Sequence, residues 1–228
     1  NMDSKKKNAR IAGLLYLIIA ITGGFGIMYV SSSIIVPGDA TSTAINIIES
    51  GFTYRLSIFS NLVSQAMTIF LVFTLSQLFK DVSEKYVKYM LAFVLVAVPI
   101  SFLNTLNLVA GELLVSGADF LNVLNVDQRN SLALLFLNLY EKGIFIVGMF
   151  WGLWLFPFGM LIVKSGFIPK ILGYFLIIGC FAYLIDTTIS LLFPEYKALI
   201  SSIIMLPLAI GEFSTILYLL IRGVKTQQ

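Results

Sequence analysis

Glu112, Glu141, Lys142, Asp186 and Glu212 each interrupt an apolar run long enough to cross a lipid bilayer. An ionisable side chain inside a membrane is expensive, so it faces protein or water, finds a partner and marks a site. Carboxyl groups held together there can exchange protons, hold a cation, or act as general acid and base with or without a hard divalent ion on oxygen ligands. Other chemistries lack their residues. The chain has no histidine and a single cysteine, Cys180, which leaves zinc, haem, iron–sulfur clusters and an internal disulfide without ligands or partners. Histidine triads and zinc-dependent intramembrane hydrolysis go with them. No phosphate loop, nucleophile motif or metal-ligand spacing is present, so no cofactor and no metal site are expected, and Cys180, in an apolar stretch, reads as an inert thiol.

Uncharged polar residues gather near these five when each run is placed at 100° per residue. Ser57, Asn61, Ser64, Gln65 and Thr68 share one narrow stripe; Asn104, Asn107, Gly111 and Glu112 share a broader face. Asn138 precedes Glu141 and Lys142 by one turn, while Tyr183, Thr187 and Ser190 surround Asp186. This pattern predicts a polar cavity opening to the outer side and closed toward the cytoplasm by apolar packing. A plainer alternative stands beside each element of it. Amide and hydroxyl stripes bond neighbouring helices, Glu112 and Glu141-Lys142 can mark the outer interface with Lys142 snorkelling, and Asp186 can pair with Lys142 in a structural ion pair.

The elements that must position these residues follow from composition. Of 228 residues, 58% are hydrophobic and only 12% charged, against about a quarter charged in soluble domains, and the mean hydropathy is +0.94. A soluble protein is excluded, and a net charge of +3 is too small to suggest nucleic acid. A spanning helix needs about 20 apolar residues. Cut at charges and prolines, the chain supplies six, at about 11–30, 55–79, 87–111, 131–163, 170–193 and 198–221. The expectation is one all-α domain over 1–228, a polytopic bundle of six transmembrane helices. The fourth span is over-long, with residues 143–163 sufficient to cross.

Eleven lysines and arginines lie on one side of these spans, from Lys5 to Lys225, and three on the other, Arg55, Arg129 and Lys197. By the positive-inside rule both termini are cytoplasmic, and the first span reads as a retained anchor rather than a signal peptide. Asn1, ahead of Met2, reads as an added residue. In the first outer loop Pro37-Gly38-Asp39 is a turn, and residues 40–48 form a short amphipathic helix capped by Asp39 or Thr41. A second outer loop at 117–129 carries Asn122, Asn125 and Asp127, which favour turns. Gly148 and Gly152 form a GxxxG pair suited to close packing within the monomer, and Pro99, Pro157 and Pro207 predict bends. Arg10-Ile11-Ala12-Gly13 and Lys170-Ile171-Leu172-Gly173 are a faint internal repeat.

The stretch from Trp151 through Gly159-Met160-Leu161, Lys164-Ser165-Gly166-Phe167-Ile168-Pro169-Lys170-Ile171-Leu172-Gly173 and Tyr183-Leu184-Ile185-Asp186 resembles the bacterial integral membrane family called domain of unknown function 4386. Arg10 to Tyr16, Pro37-Gly38-Asp39-Ala40 and Gly211-Glu212-Phe213 resemble the same family's other marks, so the resemblance covers nearly the whole chain. It implies a six-helix protein of a bacterial inner membrane and a recurring pattern that touches Asp39, Asp186 and Glu212. It implies no activity, and Lys142 beside Glu141 has no clear match in it.

Three functions remain open. The first is binding or transport of a small amphiphile or cation through the outward cavity, with Tyr140, Trp151, Trp154 and Tyr183 able to hold an apolar tail. The second is an accessory or structural protein that contacts another membrane protein through its helices. The third is an intramembrane enzyme using carboxylate acid–base chemistry. The first, non-enzymatic, with membrane lipid as the surrounding partner, is the reading carried forward; the oligomeric state is not legible.

Overall fold

A computed structural model describes residues 2–225; Asn1 and its reading as an added residue lie outside them. Hydrocarbon offers the backbone no water to bond, and an α-helix pairs its N–H and C=O groups within one segment. Each apolar run accordingly forms a helix: α1 Met2–Tyr29, α2 Ala40–Phe79, α3 Glu84–Val115, α4 Val126–Ser165, α5 Lys170–Leu192 and α6 Lys197–Ile221. All six contain stretches long and apolar enough to cross a membrane, and no strand occurs among the described residues. The chain is an all-α, multi-pass membrane protein.

Three boundaries differ from the sequence reading. The polar residues before the first span, from Ser4 to Arg10, are helical, and a π-helical turn at Val30–Ile34 prolongs α1, closed by the Ile35 N–H on the Val30 carbonyl at 3.1 Å. Residues 49–54, expected in a loop, are helical within α2, which bends at Gly51 (φ 27°, ψ −91°). A backbone in that region needs a residue without a Cβ, so α2 is two helical segments that meet at a sharp kink at Gly51. The fourth helix runs through Ser131–Lys142 as its over-long apolar run implies, but it begins earlier, at Val126, inside the expected second outer loop. Pro99 and Pro157 also lie inside helices that continue past them.

The chain divides into two compact units. One comprises the residues up to Ile18, Met67–Val98 and the chain from Phe145 onward; the other comprises Ile19–Ala66 and Pro99–Ile144. In the first, Phe79 stacks on Phe167 at 5.6 Å and meets Phe158 edge-on at 6.1 Å, with Leu75, Leu155 and Leu161 fully buried around them. Close backbone approach joins α4 to α5: a Cβ on Gly159 would stand 2.5 Å from the Gly173 carbonyl oxygen. Gly152 likewise packs against Cys180 and Tyr183, so the GxxxG pair serves packing within the chain. In the second unit Val30, Ile34, Ile47, Tyr54, Leu108, Leu137 and Tyr140 form the core.

The segment entering α2 is tied down by side-chain bonds. Pro37 and Gly38 (φ 76°) take the two central positions of a turn closed by the Asp39 N–H on the Val36 carbonyl, the pattern of a type II turn. Asp39 then caps the helix, accepting from the Ser42 N–H at 2.9 Å and the Ser42 hydroxyl at 2.6 Å. The fully buried Thr43 accepts from the Val36 N–H at 3.0 Å, and Asn46 donates to the Ile34 carbonyl at 3.0 Å. At the start of α4, Asn125 and Gln128 form a reciprocal capping box, with bonds of 3.0 and 2.9 Å.

Bonds from the Ser42 hydroxyl and N–H hold the Asp39 carboxyl below its ordinary value. A depressed folded-state value stabilises the cap above the unfolded value and loses that contribution as pH falls through the folded one. The protection factor of the Ser42 amide, that is, its exchange relative to the intrinsic rate at each pH, should therefore fall on acidification in the wild type. Asp39→Asn should remove the pH dependence and keep the protection, whereas Asp39→Ala should lose the protection at neutral pH; unchanged exchange in the alanine variant would rule out the cap.

Candidate functional site

Glu212 projects from α6 toward α1, where the Tyr16 hydroxyl donates to its Oε1. Tyr16 is only 5% exposed, and its ring packs 5.8 Å from Trp154, which in turn stacks on Phe158 at 5.3 Å. These contacts restrict the phenol and aim its O–H at the carboxyl. One turn of α1 before Tyr16, Gly13 makes the approach of α1 to α6 possible, because a Cβ there would meet the Leu220 nitrogen at 2.5 Å.

A second carboxyl lies in the same unit. Ser201, near the start of α6, donates its hydroxyl to Asp186 Oδ1 on α5. Tyr183, one turn before Asp186, lies within electrostatic reach of both Asp186 and Glu212. Thr187 donates to the Phe145 carbonyl at 3.3 Å, and the Lys197 ammonium lies 3.9 Å from the centroid of the Phe145 ring. The hydrogen bonds to both carboxyl groups come from hydroxyls, Tyr16 on Glu212 and Ser201 on Asp186. The buried Ser190 hydroxyl, one turn after Asp186, has no hydrogen-bond partner. Tyr16 with Glu212 and Ser201 with Asp186 thus form two carboxyl–hydroxyl pairs within one unit.

Hydroxyl partners differ from cationic ones in what they tolerate. A tyrosine or serine hydroxyl donates to a carboxylate and can turn to accept from a carboxylic acid, so both protonation states of Glu212 and Asp186 keep a bond. An ammonium partner would hold the carboxylate alone. Each pair is therefore suited to gain and loss of a proton, or to exchange of a proton for a cation. The pairs do not provide a metal-ligand set: no group of three or more His, Cys, Asp or Glu side chains that could hold a metal ion occurs among the described residues.

The remaining sequence candidates belong to the other unit, where most are bonded to protein. Asn61 donates to the Tyr140 hydroxyl at 2.9 Å, Asn104 to the Tyr140 carbonyl at 2.9 Å and Asn107 to Asn104 Oδ1 at 3.0 Å. Glu112 forms an ion pair with Arg55 at 2.5 Å. Gln65 is buried, and its Oε1 has no hydrogen-bond partner. Glu141 is half-buried, while Asn138 and Lys142 are exposed. The polar stripe of α2 fits a gap left by glycine: a Cβ on Gly26 would overlap the Asn61 amide at 2.6 Å, and one on Gly143 would overlap that of Asn104 at 2.0 Å.

The sequence reading missed Tyr16 and Ser201 as carboxyl partners and Tyr140 as the hinge of the amide network. A tyrosine inside an otherwise aliphatic span is the available signal, since a buried phenol seeks a polar partner. Ser201 carries no such mark.

A chain of six spanning helices that holds carboxyl groups on hydroxyl donors within its spans defines a polytopic membrane protein with an intramembrane acidic site. The chain belongs to the family described as domain of unknown function (DUF4386), which it matches over residues 11–223. No curated protein and no solved structure matches it.

Two stability tests follow from this geometry. Tyr16→Phe keeps the contact with Trp154 and removes only the donor, so unfolding in mild detergent should show a loss of about 1–3 kcal/mol. Combined with Glu212→Gln it should cost clearly less than the sum of the single losses; strict additivity would separate the two groups. Gly143→Ala should destabilise by about 1–3 kcal/mol through overpacking against Asn104, whereas Gly24→Ala, with nothing within 4 Å of the added Cβ, should be near neutral. Equal effects at the two glycines would contradict the close approach.

Proposed function

We propose that this protein binds, and exchanges across a bacterial cytoplasmic membrane, a small cation or cationic amphiphile, with Glu212 and Asp186 as proton-exchanging groups. The observation that carries this reading is the pair of hydroxyl donors, Tyr16 to Glu212 and Ser201 to Asp186. A hydroxyl can serve a carboxyl group in either protonation state, so each group can take up a proton or a bound cation in place of its charge. Tyr16, Tyr183 and Trp154 add aromatic faces suited to an onium group through cation–π attraction. The net excess of lysine and arginine on one side of the spans supports cytoplasmic termini, which would open the outer loops to the periplasmic side.

A second reading is favoured by the amide network. Asn61, Asn104 and Asn107 already bond to protein atoms, as they would in a protein whose polar residues serve only to join helices for contact with a membrane partner.

The two readings part in proteoliposomes. Uptake of a lipophilic cation such as ethidium, driven by an imposed proton gradient, should fall at least about 10-fold in Glu212→Gln and in Asp186→Asn, the loss expected when an expensive intramembrane charge is removed. Tyr16→Phe should shift the pH at half-maximal uptake while the protein remains folded. Native mass spectrometry of the same proteins should show an ethidium adduct on the wild type that both amide variants lose. Uptake that is unchanged in both variants rejects the proposal, as does the absence of any adduct on the wild type.

A further inference from the structure

The lysine-rich ends of α3 and α4 carry a second, separate feature. In the first turn of α3, Glu84 is consumed by Lys88 in an i,i+4 pair at 2.6 Å. Lys85, between them, has no carboxylate partner; its ammonium lies 6.0 Å from the Tyr86 ring centroid and 5.9 Å from that of Tyr89. Lys164, in the last turn of α4, brings its ammonium to 5.8 Å from the same Tyr86 ring. One phenol ring thus gathers two ammonium groups from different helices, both side chains exposed and neither in an ion pair among the described residues. With the two ammonium groups 6.0 and 5.8 Å from one ring centroid, an anion beside that ring is attracted by both charges.

The position selects the anion. Lys85 and Lys164 stand at the ends of membrane-spanning helices, the level of the lipid headgroups, and Tyr86 and Tyr89 are the amphipathic aromatic type that settles at that level. Free cytosolic anions meet the same charge, but a phospholipid phosphodiester is anchored there by its acyl chains, beside exposed apolar side chains of α3 such as Leu95 and Val96. We infer that Lys85, Lys164 and the Tyr86 ring form a binding site for the phosphodiester headgroup of an anionic phospholipid. The inference is independent of the acidic site.

The test uses the full chain purified in mild detergent and titrated with phosphatidylglycerol, phosphatidylcholine or inorganic phosphate, with adducts counted by native mass spectrometry. The expected result is a retained phosphatidylglycerol that phosphatidylcholine does not replace. Each lysine near an anionic surface contributes roughly a 5-fold gain in affinity, so Lys85→Gln with Lys164→Gln should weaken binding about 25-fold. Tyr86→Phe should bind as the wild type does, and Tyr86→Leu more weakly, because the ring face and not the hydroxyl gathers the ammoniums. Lys88→Gln and Lys170→Gln should change little. Equal binding of the two lipids to the wild type overturns the inference without recourse to any variant. So does an equal loss in Lys88→Gln or Lys170→Gln, which would mean a diffuse basic belt, or saturation by inorganic phosphate with no advantage for the lipid.

Discussion

Hydrocarbon supplies no hydrogen bonds, and the arrangement of this protein depends on meeting that shortage from within. The backbone meets it by folding into six long helices, two of them of 40 residues. Side chains meet it pairwise: Tyr16 serves Glu212, Ser201 serves Asp186, Asn61 serves Tyr140, and Tyr54 caps the Leu108 carbonyl at 2.8 Å. Each pair requires two helices to approach at a fixed level, so satisfying the polar groups also sets the helix contacts. The glycines follow from this. Gly26 and Gly143 leave room for the Asn61 and Asn104 amides, and Gly13 lets α1 close on α6.

The two units meet the shortage with different chemistry. In the unit built on Ile19–Ala66 and Pro99–Ile144, Asn61 and Asn104 bond Tyr140 amide to hydroxyl and amide to carbonyl, and the charged pair Arg55–Glu112 has an exposed arginine. Such bonds hold helices together at about 0.6 kcal/mol each on average. In the other unit, carboxyl groups are held by hydroxyls, Glu212 by Tyr16 and Asp186 by Ser201. A group that can be charged or neutral while keeping its bond is a means of exchange, whereas an amide pair is a means of attachment. That contrast is why the proposed chemistry rests on Glu212 and Asp186 and not on the polar stripe of α2.

Much of the architecture was legible in the residues. Six apolar runs at the length of a bilayer lead to six helices, and the Pro37-Gly38-Asp39 turn with its capping carboxyl can be read from local chemistry alone. Local chemistry was less informative where an element could either end or bend. Gly51 does break the helical backbone, as a separate short helix before the second span requires, but only over a kink and not over a loop, because the flanking turns are packed: Ile47 and Tyr54 are buried in one core. The capping box at Asn125 and Gln128 was likewise marked in part, with Asn125 read as a turn former.

Sequence by itself determined the solvent, the number of spans and the identity of the expensive groups, because each depends on residue type and on spacing along one segment. It marked Asp186 and Glu212 as needing partners but could not name them. Tyr16 lies 196 positions from Glu212, and no periodicity within either helix relates the two. Only the tertiary structure decided that the Tyr16 and Ser201 hydroxyls donate to these carboxyl groups, since that outcome depends on which helix faces which and at what level. The physical reason is the range of the forces involved: hydrophobic periodicity acts within a single helix, whereas a hydrogen bond in lipid is made only where two packed helices bring a donor within reach of an acceptor.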